Sequence, residues 1–288
     1  MLNSFIDISQ LDSSSIKKII TNEVADNPTI QNKNIGCLYE KPSTRTRVSF
    51  AVGIKQLGAN FIDLKFDELN FARNESLEDT FKALSCYLDG LIYRTTSHQK
   101  IILASTFFNK PVINALSEKS HPCQVIADLI TLYERFNKID LNICWFGDLN
   151  NVLYSLVEAV NLIEEIKLNI FSSSTLIKNN EWKLSNNIFF YDKLDKDVIR
   201  NADCIMTDVY ISMNDNNSDS KVKELQQFQV NRELMSFTND HCVFMHCLPA
   251  KIGYEVTNDV INSKKSIIWK QAYNRLPAQV RIMKCINW

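Results

Sequence analysis

At 288 residues the chain is longer than a typical single domain of roughly 100 to 200 residues, which favours two compact lobes over one core. A hydrophobic fraction of 45%, a charged fraction of 23% and a formal net charge of -1 leave no basic surplus for a nucleic-acid backbone. No apolar run approaches the roughly 18 residues that span a bilayer. Met1 to Ser15 carry Asp7 and Asp12 but no Lys or Arg, so neither a signal peptide nor an organelle presequence is expected and the protein should stay in the cytoplasm. The eight cysteines are spread without a C-x-x-C pair and read as reduced, buried thiols. The four histidines (His98, His121, His241, His246) share no ligand spacing with them, so no metal is expected.

From Ile35 onward short apolar runs alternate with amphipathic stretches, the pattern of an α/β protein with parallel sheets flanked by helices. The first strand, Ile35 to Tyr39, enters Lys41-Pro42-Ser43-Thr44-Arg45-Thr46-Arg47 and a helix from Thr44 to Leu57. Hydroxyls, backbone N–H groups and a positive dipole end meet there, which makes an anion cradle. The bland alternative is a capped helix whose arginines pair with surface acids. Arg45 and Arg47, two apart, point to different sides of the helix, and Arg45 lies nearer the open end.

A strand at Ala59 to Leu64, a helix at Ser76 to Leu88 and strands at Gly90 to Tyr93 and Pro111 to Asn114 follow. His121-Pro122-Cys123-Gln124 then opens a helix to Phe136, with Pro in the first turn and His121 and Gln124 on one face. Imidazole and carboxamide can both donate to a carbonyl oxygen, although a helix-start His equally suits a cap. A lobe boundary is expected near Asn137 to Asp140.

The strand Leu141 to Phe146 leads into Gly147-Asp148-Leu149-Asn150-Asn151 and a helix from Val152 to Ile163. With one glycine this is no dinucleotide fingerprint, but polar side chains stand at a strand's carboxyl end, where open sheets bind ligands. After a strand at Leu168 to Phe171, the polar stretch Ser172 to Asn187 lacks core content. Thr207-Asp208-Val209-Tyr210-Ile211-Ser212-Met213 leaves the strand Cys204 to Thr207 with a carboxylate suited to an amine. A second polar stretch, Asn214 to Lys221, fits a loop over a site or a plain surface loop. Phe244-Met245-His246-Cys247-Leu248-Pro249 leaves the strand Cys242 to Met245, and a last helix is expected from Gln271 to Lys284. Each strand exit on its own also fits an ordinary capping acid or buried thiol.

The order S-T-R-T-R, H-P-x-Q, G-D-x-N-N, D-x-x-x-S-M and H-C-L-P resembles the aspartate and ornithine carbamoyltransferase family, its ornithine branch in particular, over nearly the whole chain. The resemblance implies two lobes with a site in the cleft between them: residues 1–137 binding carbamoyl phosphate, joined by a returning helix at 271–288, and residues 138–270 binding ornithine. It implies that Ser43, Thr44, Arg45 and Thr46 hold the phosphate, with Arg94, His121 and Gln124 around the carbamoyl group. Asn151, Asp208, Ser212 and Met213 match ornithine contacts, Cys247 and Leu248 line the site, and Arg275 reaches in from the last helix. The family forms at least a homotrimer, and Asn70 falls where a neighbouring subunit's loop contributes. No cofactor is implied. Asn214 replaces the family's Gly after Ser-Met, and Lys251-Ile252 stands where many relatives carry His-Arg, which bears on loop closure and ornithine affinity.

The expected reaction is carbamoyl transfer from carbamoyl phosphate to the side-chain amine of L-ornithine, giving L-citrulline and phosphate, as in arginine biosynthesis or a urea-cycle type reaction. Arg94, His121 and Thr46 donate to the oxyanion and Asp208 orients the amino acid. Cys247 is expected to pack and orient substrate rather than attack it, because His246 beside it on a strand points to the opposite face. The alternatives are a transcarbamoylase for aspartate or a modified ornithine, and a non-catalytic relative that only binds.

Overall fold

Runs such as Ile35-Gly-Cys-Leu38 and Ile143-Cys-Trp-Phe146 are buried on both faces, as strands in the middle of a helix-covered parallel sheet must be. In a computed structural model, which describes residues 1–69, 75–211 and 218–288, these runs form two sheets. Among the described residues the first has four parallel strands, β1 (Asn34–Tyr39), β2 (Asn60–Lys65), β3 (Gly90–Arg94) and β4 (Val112–Leu116), in the order β2-β1-β3-β4. The second has five, β5 (Leu141–Phe146), β6 (Ile166–Phe171), β7 (Ile188–Tyr191), β8 (Cys204–Thr207) and β9 (Val243–His246), in the order β7-β6-β5-β8-β9. The chain divides into two compact units, Met1–Ile130 with Tyr273–Trp288, and Thr131–Ala272.

Both sheets reverse direction of growth once, and each reversal sets a site. The first grows from β1 to β2 and then back to β3, so the connections leaving β1 and β3 run in opposite directions; the second does the same at β5 and β8. Open α/β sheets bind ligands at such switch points. Tyr39 pairs with Arg94 in the first sheet, and Phe146 pairs with Thr207 in the second, so the exits of each pair are level.

The first core gathers Leu38, Leu91, Tyr93, Ile101 and Phe108. The second gathers Phe146, Phe171, Ile205, Tyr210, Phe228 and Phe244, with the Phe146 and Phe171 rings stacked at 4.6 Å. Truncating one of these phenylalanines to Ala costs about 3–5 kcal/mol through lost burial and the cavity left behind. The Arg275–Lys284 helix packs on the Arg45–Gln56 helix at Gly53, where an added Cβ would stand 3.1 Å from Met283 Cε and 3.2 Å from Val280 Cγ2.

Three expectations need correction. β7 was not foreseen: its Ile-Phe-Phe-Tyr run is only four residues at the sheet edge and directly follows the polar stretch. The last helix starts earlier and is interrupted, Ile268–Tyr273 and then Arg275–Lys284, because Pro277 has no N–H to give the carbonyl of Tyr273. Within the polar stretch from Asn214 to Lys221, the helix Ser218–Leu225 begins.

Candidate active site

In the first unit the turn after β1 delivers Ser43 and Thr44 to the start of the Arg45–Gln56 helix, while β3 ends on Arg94. Arg94 Nη1 donates to Ser43 Oγ at 3.2 Å and to Thr46 Oγ1 at 3.4 Å. From the last helix, buried Arg275 donates through Nη2 to the same Thr46 Oγ1 at 3.3 Å and through Nη1 to Gln124 Oε1 at 2.6 Å. Gln124 in turn gives an amide N–H to Asp128 Oδ1 at 2.7 Å, so it shows Arg275 its oxygen.

His121 stands at the entry to the Pro122–Phe136 helix, 5% exposed. Burial first, and then the charges of Arg275, Arg94 and Arg45, hold its pKa well below the ordinary imidazole value. It is therefore a neutral ring at neutral pH, surrounded by guanidinium charge. Arg47 faces away, paired with Asp63 on β2.

Polar residues outside the motifs hold these groups in place. Glu40 accepts from Tyr93 Oη, from Thr95 Oγ1 at 2.7 Å and from Lys100 Nζ at 2.9 Å, tying the exit of β1 to that of β3. Burial raises the Glu40 carboxyl, but those hydrogen bonds and the Lys100 charge bring it below its ordinary value. The turn before His121 is pinned by Asp7, which accepts from Ser120 Oγ and, at 3.2 Å, from Lys119 Nζ. His98 stands 3.3 Å from Asp7 through Nε2 and 2.8 Å from Ser117 Oγ through Nδ1.

In the second unit the turn after β5 begins at Gly147, with φ +111°; a Cβ there would strike the buried Tyr210 ring. Asp148 pairs with Lys221 at 2.7 Å. Asn150 caps the Asn151–Leu162 helix and donates to Asp208 Oδ2 at 2.8 Å. The other oxygen of Asp208 accepts from Cys247 Sγ at 3.1 Å. Asn151 is half-buried at the first helical position. Ser212, Met213, Asn214 and Asn70 lie outside the described residues.

His246 is turned to another task than Cys247. Its Nδ1 accepts the Leu248 N–H at 2.9 Å and its Nε2 faces Glu255 Oε1 at 3.1 Å, while the same Glu255 oxygen accepts the Lys251 N–H at 2.6 Å. The pair thereby fixes Leu248, whose φ of +59° is rare for a branched residue. Atoms of Asp208, His246 and Cys247 that could ligate an ion lie within 4.8 Å of one another. With both ring nitrogens engaged, His246 has no lone pair to give a metal.

Sequence reading missed Glu40, Asp128, Asn150, Glu255 and the Asp7–His98 pair. Asn150 carried a signal, an Asn immediately before a helix. Asp128 is four residues after Gln124 on one helix face. Glu255 has no local mark, since its partner is nine residues away.

Clustered arginines at a strand exit of the first unit and a buried carboxylate at a strand exit of the second suit a group-transfer protein, and the chain belongs to the aspartate/ornithine carbamoyltransferase family. That family's carbamoyl-P binding domain matches residues 3–134 and its Asp/Orn binding domain residues 139–286. The chain is 36% identical to the ornithine carbamoyltransferase of Rhodopseudomonas palustris over 98% of its own length and 96% of that protein's. Its fold resembles the crystal structure of ornithine carbamoyltransferase from Thermus thermophilus, at a TM-score of 0.85, 28% identity and 99% coverage of both chains. The enzyme from Pyrococcus furiosus is similar too, at a TM-score of 0.85 and 29% identity over 99% of this chain and 96% of that one.

Proposed function

We infer that this chain transfers the carbamoyl group of carbamoyl phosphate to the side-chain amine of L-ornithine, giving L-citrulline and phosphate. The observation that carries the reading is the double donation to Thr46 Oγ1 from Arg94 and Arg275, beside a His121 held neutral. Two fixed guanidinium groups around a hydroxyl set positive charge and N–H donors where a phosphate dianion can bind, and the guanidinium fork matches its geometry.

A neutral imidazole can donate an N–H to the carbonyl oxygen as it gains charge, and Arg94 and Thr46 add donors to the same oxyanion. The ornithine amine, with a reference pKa of about 10.4, must arrive unprotonated. Its nitrogen bonds to the carbonyl carbon, the carbon–oxygen bond to phosphate breaks, phosphate leaves with that electron pair and the amine gives up one proton. Among the described residues Asp208 accepts from the neutral donors Asn150 and Cys247, which leaves its charge to hold the amino acid's ammonium group. Cys247 orients this carboxylate.

We assign Ser43, Thr44, Arg45, Thr46, Arg94, His121, Gln124 and Arg275 to carbamoyl phosphate, with Cys247 and Leu248 lining the site, and Asn151, Asp208, Ser212 and Met213 to ornithine. A cytoplasmic homotrimer serving arginine synthesis, with Asn70 reaching a neighbouring subunit, completes the proposal. Among the described residues no helix is long and apolar enough to cross a membrane. Incubating the purified chain with carbamoyl phosphate and L-ornithine should release citrulline and phosphate in equal amounts. Binding of both substrates without citrulline would instead identify a non-catalytic relative.

A further inference from the structure

Asn150 is the residue before the Asn151–Leu162 helix, and its side chain serves two masters. Its Oδ1 accepts the N–H groups of Val152 and Leu153, both at 3.1 Å, satisfying two of the unpaired donors at the helix start. Its Nδ2 donates to Asp208 Oδ2 at 2.8 Å, and the residue is only 6% exposed. A planar amide flipped by half a turn would face oxygen with oxygen and lose the cap bonds as well, so its orientation is fixed by the helix.

We propose that Asn150 is a positioning residue for the amino-acid substrate: the helix start holds its amide so that its N–H fixes the plane and direction of the Asp208 carboxylate. The proposal rests on the reading of Asp208 as ornithine's charge partner. Asn150 acts through Asp208 and need not touch ornithine. The chemistry of the position is narrow. The cap needs an acceptor and Asp208 needs a neutral donor: Ser and Thr offer a single oxygen on a shorter stem, too near the helix start to cap it and reach Asp208 as the Asn amide does, Asp offers only acceptors, and Lys would supply the donor but quench the charge meant for the substrate's ammonium.

That dual demand separates a structural role from a functional one in the full-length protein. Asn150→Ser and Asn150→Asp both retain a good capping oxygen; Asn150→Ser should melt within a few degrees of the wild type, whereas Asn150→Asp also sets two buried carboxylates together and should melt lower. With each substrate varied in turn, Asn150→Ser should raise the KM for ornithine roughly tenfold or more, the size expected when a hydrogen bond to an ionised carboxylate is lost. The KM for carbamoyl phosphate should stay within about twofold, a split that marks lost binding of one substrate alone. Asn150→Asp, which sets a second carboxylate against Asp208, should do worse than Ser on ornithine. Asp208→Asn is the reference for the same split.

Wild-type turnover of ornithine is measured first. Its absence removes the functional reading itself, and this proposal with it. If the wild type makes citrulline, an unchanged ornithine KM in Asn150→Ser overturns the positioning role alone. So does an equal rise in both KM values with a lowered melting temperature, which would show a cap and nothing more.

Discussion

Thr46 Oγ1 takes N–H groups from both Arg94 and Arg275, and Arg45 adds its charge to the field at His121. Holding like charges a few ångströms apart costs on the order of a few kcal/mol at an effective dielectric near 20, a cost that a bound dianion reverses. Arg47 is outside this field, occupied by Asp63. Replacing Arg45 by Ala should therefore lower kcat/KM by about two to three orders of magnitude, the scale of a lost charge-assisted clamp. Arg47→Ala removes a partly exposed ion pair and should cost roughly 1 kcal/mol of stability or less, with kcat/KM little changed. Steady-state kinetics on the two variants decides the assignment; the opposite pattern would exchange their roles.

At the scale of elements, most strands were legible because strands buried on both faces leave continuous apolar runs, whereas the sheet order and its two switch points were not. The motifs at the strand ends were equally plain, since Ser43 to Arg47 and Gly147 to Asn151 lie within single turns. Part of what escaped was short, like β7 with its four residues, or made by contacts remote in sequence, while Asp128, Asn150 and Pro277 had local signals that went unused. Glu255 with His246 and Asp7 with His98 are of the second kind: the partners meet only after the sheets form. Pro277 was visible, and the helix-break rule would have split the last helix.

The Asp7 contact also yields a pH prediction. Burial alone would raise the Asp7 carboxyl, but the hydrogen bonds with His98 and Ser120, and then the charges of His98 and Lys119, bring it below the ordinary carboxylate value. A carboxylate with a depressed folded value contributes stability that is present above the unfolded value, near pH 4, and is lost as pH falls through the folded value. Asp7→Asn should therefore lower the melting temperature at neutral pH, by the equivalent of roughly 1–2 kcal/mol for hydrogen bonds to a charged group. Melting curves taken down the pH scale should show the gap to wild type narrowing below about pH 4. A gap that stays constant would mean that the charge of Asp7 contributes nothing.

At the scale of the whole molecule, the trimer proposal concerns assembly, for which a single chain carries no symmetry mark. Light scattering during turnover should find a species of three chains, and an active monomer would refute it. The central claim concerns the amino acid. On the proposed assignment ornithine would bring an ammonium to Asp208, whereas aspartate would bring a second carboxylate and want additional cationic groups at the β8 and β9 exits. Near those exits Lys251 is exposed, and its Nζ lies 5.9 Å from the Tyr254 ring centroid. The most direct measurement is kcat/KM for L-ornithine and for L-aspartate at saturating carbamoyl phosphate. Ornithine should be preferred by at least about a thousandfold, as expected when the wrong substrate leaves a buried charge opposed. Equal or faster turnover of aspartate would contradict the assignment of Asp208 and of the reaction.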